Sequence, residues 1–263
     1  MISVWKWEVT EPRGVVVMVH GAGEHHGRYQ WLAKKWNEHG FDVIMGDLPG
    51  QGKTRGRRGH IQSFQQYLDT VEEWLNEARQ KQLPILLLGH SMGGLISIRT
   101  VMERDNSLIY GVILSSPCLD LSHPLPKAKK AASKVLQHVA PTFSVNSGIR
   151  SDRATRNQEV IEAYLTDPLK VSKVSARWYQ ELEKTMRVTR RYPEKFPNIP
   201  LLVLQAGEDY LVDKNATQEW FNHLILTQKS FKEWEGLYHE LFNEPERDEV
   251  FRHAISFVNL MFP

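Results

Sequence analysis

The apolar run Leu86-Leu87-Leu88 ends abruptly in Gly89-His90-Ser91-Met92-Gly93-Gly94, and a helical pattern starts at once. A chain with this stretch has few architectures open to it. The serine must occupy a tight turn between strand and helix, where a Cβ two residues away on either side would collide with the adjoining element. Such a turn lifts the hydroxyl clear of the sheet. It also aims the free N–H groups of the helix start at whatever the oxygen attacks. Gly-x-Ser-x-Gly alone is common. Placed between a buried strand and a helix of small residues, it points to a nucleophilic serine rather than a plain turn.

The rest of the chain repeats the pattern of strand, then helix. Runs at 14–20, 41–45, 85–88, 110–114 and 199–204 are of strand length and almost wholly apolar, as expected for strands buried on both faces of a parallel sheet. The stretch 229–234 alternates and is expected at the sheet's edge. Residues 3–9, Ser3 to Val9, also alternate, with so little chain before the first buried run that an N-terminal hairpin must be short or a single strand. Helical patterns fall at 29–39, 64–80, 92–104, 216–226 and 246–261. The expected class is α/β, a mostly parallel doubly wound sheet.

That alternation breaks between Pro117 and Pro197. Helical patterns occur there at 127–139, 158–165 and 176–191, with no strand-like run. The segment carries 15 Lys+Arg against 8 Asp+Glu, a net +7, whereas the whole chain is +2 and the remainder therefore −5. The expectation is a core of residues 1–116 and 198–263 interrupted by an all-helical insertion at 117–197. Solvated helix faces account for the charge; the sharper reading is a basic surface that approaches anionic lipid or substrate.

A serine hydroxyl needs a histidine base, itself oriented by a carboxylate. On such a sheet both follow the serine in the chain. His223 and His253 fall inside amphipathic helical patterns, whereas His239 follows the turn Glu235-Gly236 in a loop free to face the serine. Asp209 lies in the turn after the 199–204 run. Nearby Glu208 reads as a solvent residue, and Asp213 as a helix N-cap or a helper in the second rank. Oxyanion donors are expected from the N–H groups of Met92 and of Ala22, in the glycine-rich loop His20-Gly21-Ala22-Gly23. His20 reads as a brace for that loop. His25 and His26 are adjacent and cannot share a helix face as metal ligands, so solvent exposure is expected.

Other chemistries fail on single residues. A phosphate loop ending in Gly52-Lys53-Thr54 needs glycine where Asp47 stands, and a zinc peptidase at His239-Glu240 needs histidine where Asn243 stands. No metal, cofactor or nucleic-acid partner is expected. The single cysteine, Cys118, rules out an intrachain disulfide and reads as a small buried hydrophobe in a reducing compartment. No signal-peptide pattern opens the chain and no apolar run approaches the ~20 residues of a membrane span, so a soluble, cytoplasmic protein is expected.

Together these residues carry a resemblance. The chain resembles the α/β-hydrolase superfamily and, within it, the monoacylglycerol lipase and lysophospholipase-like group. The matching motifs are His20-Gly-Ala-Gly-Glu-His-x-Gly-Arg-Tyr29, Gly89-His-Ser-Met-Gly93, Asp209-x-x-Val212 and Glu235-Gly-x-Tyr-His239. The likeness spans nearly the whole chain, though the insertion matches loosely and Lys53-Thr54 departs from the usual small or polar residue and serine. It implies a Ser91–Asp209–His239 triad, an oxyanion hole from Ala22 and Met92, and a helical cap over an acyl pocket. Leu136, Val139, Phe143, Trp178 and Tyr179 are the candidate lining. The implied substrate is a small lipid or ester, monoacylglycerols first, with lysophospholipids or short carboxylic esters as alternatives. A ligand receptor on the same fold would tolerate loss of triad members; all three are present.

Overall fold

Five strands of almost wholly apolar composition can lie side by side only if helices cover both faces, and that is the arrangement of the computed structural model, which describes residues 4–261. The sheet has seven strands. In chain order they are β1 (Val4–Trp7), β2 (Gly14–Val19), β3 (Phe41–Gly46), β4 (Ile85–His90), β5 (Ile109–Ser115), β8 (Leu201–Ala206) and β9 (Lys229–Trp234). Their spatial order is β1-β3-β2-β4-β5-β8-β9. Only β1 runs antiparallel, along β3, and no second strand precedes it among the described residues; Ser3 of the expected first strand lies outside them. Every residue of β2, β3, β4 and β8 is buried, while β9 is the half-exposed edge.

Alternate side chains feed two cores. Val15, Val17, Val19, Ile85 and Leu87 face α2 (Gln65–Arg79), α3 (Met92–Glu103) and α8 (Lys214–His223), against Trp74, Leu95 and Trp220. Val16, Met18, Leu86 and Leu88 face α1 (Gln30–Glu38) and α9 (Arg247–Asn259), against Trp36, Phe251 and Val258. The chain runs from β2 outward to β3, then crosses back to β4. The loops after β2 and β4 therefore diverge at the sheet's carboxyl end, the switch point where open α/β sheets leave a crevice for ligand.

Between β5 and β8 the chain leaves the sheet and builds α4 (Lys127–Val139), α5 (Ser151–Ala154), α6 (Gln158–Thr166) and α7 (Ala176–Arg191). The insertion is not all helical, which corrects the sequence-based expectation. β6 (Ser144–Asn146) pairs antiparallel with β7 (Lys173–Ser175). Each strand is three residues long, too short to leave a period, and its partner lies far along the chain.

Candidate active site

Ser91 sits between β4 and α3 with φ 53° and ψ −120°, a left-handed conformation rare for a residue with a Cβ. The flanking glycines make this possible. A Cβ on Gly93 would stand 2.1 Å from the Val19 carbonyl oxygen, and one on Gly89 2.4 Å from Ser97 Oγ. The turn is pinned on both sides: Ser91 N–H donates to Ser115 O (2.9 Å) and Cys118 N–H to Ser91 O (2.9 Å).

His239 follows the Glu235-Gly236 turn after β9 and is buried. Its Nδ1–H donates to Asp209 Oδ2 at 2.8 Å, which leaves Nε2 as the basic nitrogen. Its ring lies 4.8 Å from that of His90, the residue before Ser91. Asp209 is fixed in turn, since its Oδ1 accepts from the N–H groups of Leu211 and Val212, both at 2.9 Å. Burial opposes charge on both partners, but their mutual attraction prevails: His239 holds its proton above the ordinary imidazole value, and Asp209 loses its own below the usual carboxylate range.

The loop after β2 carries three successive N–H groups, those of Gly21, Ala22 and Gly23. That of Gly21 donates to Glu24 Oε2 (2.8 Å) and that of Gly23 to Gln51 Oε1 (3.0 Å). Glu24 of the same loop and Gln51 of the loop after β3 thus take the outer two and leave the Ala22 N–H. Ala22, Ser91 and Met92 border a cavity of about 730 Å³, roofed by α4 and α7 and by the β6–β7 pair. Its wall includes Leu136, Phe143, Trp178 and Tyr179, and Cys118 contributes a thiol that burial pushes up to about 12.

The comparisons with known proteins agree with this architecture. The family model described as Hydrolase_4, serine aminopeptidase S33, matches residues 10–246. The chain belongs to this family. It is 52% identical to phospholipase YtpA of Bacillus subtilis over 97% of its own length and 99% of that protein's. It is 33% identical to human monoglyceride lipase, covering 95% of this chain and 84% of the relative. Among solved structures, the monoacylglycerol lipase of Paleococcus ferrophilus superposes with a TM-score of 0.87 at 33% identity, over 97% and 96% of the two chains.

Val139, His25 and His26 of this Hydrolase_4 chain differ from what its sequence suggests, while Asp213 and His20 agree with it. Val139 does not border the cavity: it is 73% exposed, on the outer side of α4. His25 and His26 are buried rather than solvent-exposed. His26 stacks on Trp5 and bonds through Nδ1 to Asp47 Oδ1 at 2.9 Å; burial lowers its proton affinity against the pull of that carboxylate. His25 accepts from Gly27 N–H at Nδ1 and donates from Nε2 to Asp167 Oδ2 at 2.7 Å, joining loop and insertion. Both carboxylates are distant in sequence. Asp213 caps α8 by accepting from Asn215 N–H. His20 bridges its loop to the next, with Nδ1–H donating to Gly21 O and Nε2 accepting from Leu48 N–H.

Sequence reasoning also missed a buried ion cluster under the site. Arg28 donates to Glu24 Oε1 (2.6 Å) and forks onto Glu240 (3.2 and 2.8 Å), the residue after His239. Tyr29 OH adds a bond to Glu24 at 2.7 Å. Burial favours the neutral acid, yet Arg28, His90 and the Tyr29 hydroxyl hold Glu24 at about 2. The loop that carries Ala22 is thereby locked to the loop that carries His239. The signal was visible, since Glu24 and Arg28 stand four apart in the first motif and Glu240 directly follows the last, but their meeting depends on the fold.

Proposed function

We propose that this chain hydrolyses the carboxylic ester of a monoacyl glycerolipid through an acyl-enzyme on Ser91, with residues 117–197 as the cap that selects substrate. His239 Nε2 takes the Ser91 proton as Oγ attacks the ester carbonyl. Asp209 keeps the imidazole in the right tautomer and stabilises its charged form. The N–H groups of Met92 and Ala22 receive the developing oxyanion. His239 returns its proton to the departing alcohol, the acyl chain stays on Ser91 under the cap, and water repeats the sequence. The observation that carries this reading is the Asp209–His239 pair beside the strained Ser91 turn, at the wall of an apolar cavity.

Monoacylglycerols are the first substrate reading, supported by relatives named for that activity. A lysophospholipid is the second, favoured by the relative at 52% identity whose name is phospholipase. Purified protein assayed on 1-monoacylglycerols from C4 to C18 beside a matching lysophospholipid tests both; activity confined to the shortest esters would sink the glycerolipid reading. Labelling by a fluorophosphonate probe separates an enzyme from a receptor.

The basic insertion is part of the proposal. Helix α4 carries Lys127, Lys129, Lys130 and Lys134 with no acid, and its Val135 and Val139 are exposed. That supports peripheral contact with an anionic lipid surface, which added salt must weaken. No helix among the described residues is long and apolar enough to cross a membrane. A cytoplasmic setting, suited to the buried free thiol of Cys118, completes the reading and is open to cell fractionation.

A further inference from the structure

Charge in the cavity wall is one-sided. Among the residues that border it there is no aspartate or glutamate, while Lys129 and Arg153 contribute cations. A glycerol head group gives a cation nothing to pair with. A phosphate does.

Arg153 is also set apart from its neighbours. Arg150, Arg153 and Arg156 recur at intervals of three residues. Arg150 pairs with Asp152, and Arg156 with Glu244 (2.6 Å) and with Glu246. Arg153 forms no salt bridge among the described residues, though its charge acts on the neighbouring Asp152; its guanidinium lies 6.0 Å from the centre of the Tyr210 ring. Its place relative to the reacting groups follows from the chain around it. Tyr210 comes directly after Asp209 and packs edge-on against Tyr238, directly before His239, with ring centres 5.1 Å apart. The carbonyl of Ala154, the next residue after Arg153, accepts from Glu240 N–H at 2.8 Å. Arg153 is thus anchored from both sides to the two loops that hold the acid and the base, whereas much of the apolar wall comes from α4 and α7.

We infer that Arg153 is a specificity-determining residue that binds the phosphate of a lysophospholipid head group at the alcohol end of the cavity. Acyl chain and head group leave an ester in opposite directions, so a chain under α4 and α7 directs the head group toward the histidine loop. A planar guanidinium offers paired N–H donors that match two phosphate oxygens, and a ring face beneath it holds the plane in position. Lys129, exposed on α4, adds a longer-range attraction of the same sign.

This inference rests on the proposed ester hydrolysis, and the test separates the two. Wild type, Arg153→Gln and Arg153→Lys are assayed on 1-monoacylglycerol and on lysophosphatidylglycerol of one acyl length, below their aggregation concentrations. The readout is the ratio of kcat/KM on phospholipid to that on monoacylglycerol, which a general loss of folded enzyme does not move. Loss of a charge-assisted contact at this exposed site predicts that Arg153→Gln lowers the ratio about tenfold, mostly through KM, and that Arg153→Lys keeps part of it. An unchanged ratio in Arg153→Gln overturns the assignment, as does a wild type that cleaves monoacylglycerol and not the lysophospholipid; in both cases ester hydrolysis stands. Folded wild-type protein that cleaves neither overturns both.

Discussion

The sheet and the insertion are held by different means. All six residues of β4 are buried, and Ser91 hangs from a turn closed in by the Val19 and His20 carbonyls, Ser97 Oγ and Pro117. Helix α4, by contrast, buries only Ser133 of its thirteen residues, and α6 buries only Tyr164. Helix α7 is packed into the core through Trp178, Leu182 and Met186, but the stretch before it is tied to the sheet's loops by polar bonds: Val171 N–H to Gly23 O, His25 to Asp167, and Arg156 to Glu244. Close packing leaves one arrangement; a few polar ties leave room for opening. The reacting groups therefore sit on the half that cannot adjust, and the selecting groups on the half that can.

The largest effects belong to the rigid half. Ser91→Ala is expected to remove on the order of 10⁴-fold or more of turnover, with unchanged thermal unfolding and no fluorophosphonate labelling. Near-normal hydrolysis by that variant would end the proposal. Asp209→Asn should cost on the order of 10⁴-fold, because the amide supports the wrong imidazole tautomer. Asp213→Ala, four residues on, should cost about 1 kcal/mol of stability as a lost cap and little turnover. The reverse ranking would reassign the acid.

The pH dependence has a fixed sign. His239 must be neutral to act as base, and Asp209 raises its proton affinity. The acid limb of kcat/KM is then centred above the ordinary imidazole value of about 6.5, and residual activity of Asp209→Asn shows a limb moved to lower pH. A wild-type limb centred below that value would contradict the pairing. In stability terms, the His239 contribution is complete below its unfolded value and fades as pH rises through its folded one; that of Asp209 fades as pH falls through its depressed value.

The ion cluster joins the two loops and tests rigidity itself. Arg28→Met leaves Glu24 and Glu240 buried without their cation, and about 3–5 kcal/mol of stability should go, read from denaturant midpoints. If the midpoint barely moves while turnover falls, the cluster positions the loops rather than supporting the fold.

The same contrast governs what could be read from the sequence. Strands buried on both faces leave unbroken apolar runs, so β2 to β5 and β8 were legible, with the Ser91 turn between two of them. Asp209 and His239 were legible because each lies in a short turn just past a strand. Asp47 beneath His26, Asp167 beside His25 and Glu240 against Arg28 were not, since each pair is made by tertiary folding across 21 to 212 residues. The β6–β7 pairing was hidden for the same reason. Val139 failed differently: a four-lysine helix with apolar residues on two faces does not announce which face is inward.

The smallest effect comes from α4, where Leu136 and Val139 stand one turn apart. Leu136 borders the cavity and is half-buried, whereas Val139 is 73% exposed. Leu136→Trp should fill part of the acyl space and lower the C16-to-C8 preference in kcat/KM by about tenfold, in the range that pocket size commonly commands. Val139→Trp should leave that preference within about twofold, because its side chain meets solvent or lipid instead of the acyl chain. Binding to anionic vesicles reverses the order: Val139→Trp strengthens it and Leu136→Trp does not, since only an outward aromatic reaches the interface. Should both tryptophans change chain-length preference alike, α4 must turn on its axis when substrate enters, and the adjustable half of the molecule would be more mobile than its polar ties suggest.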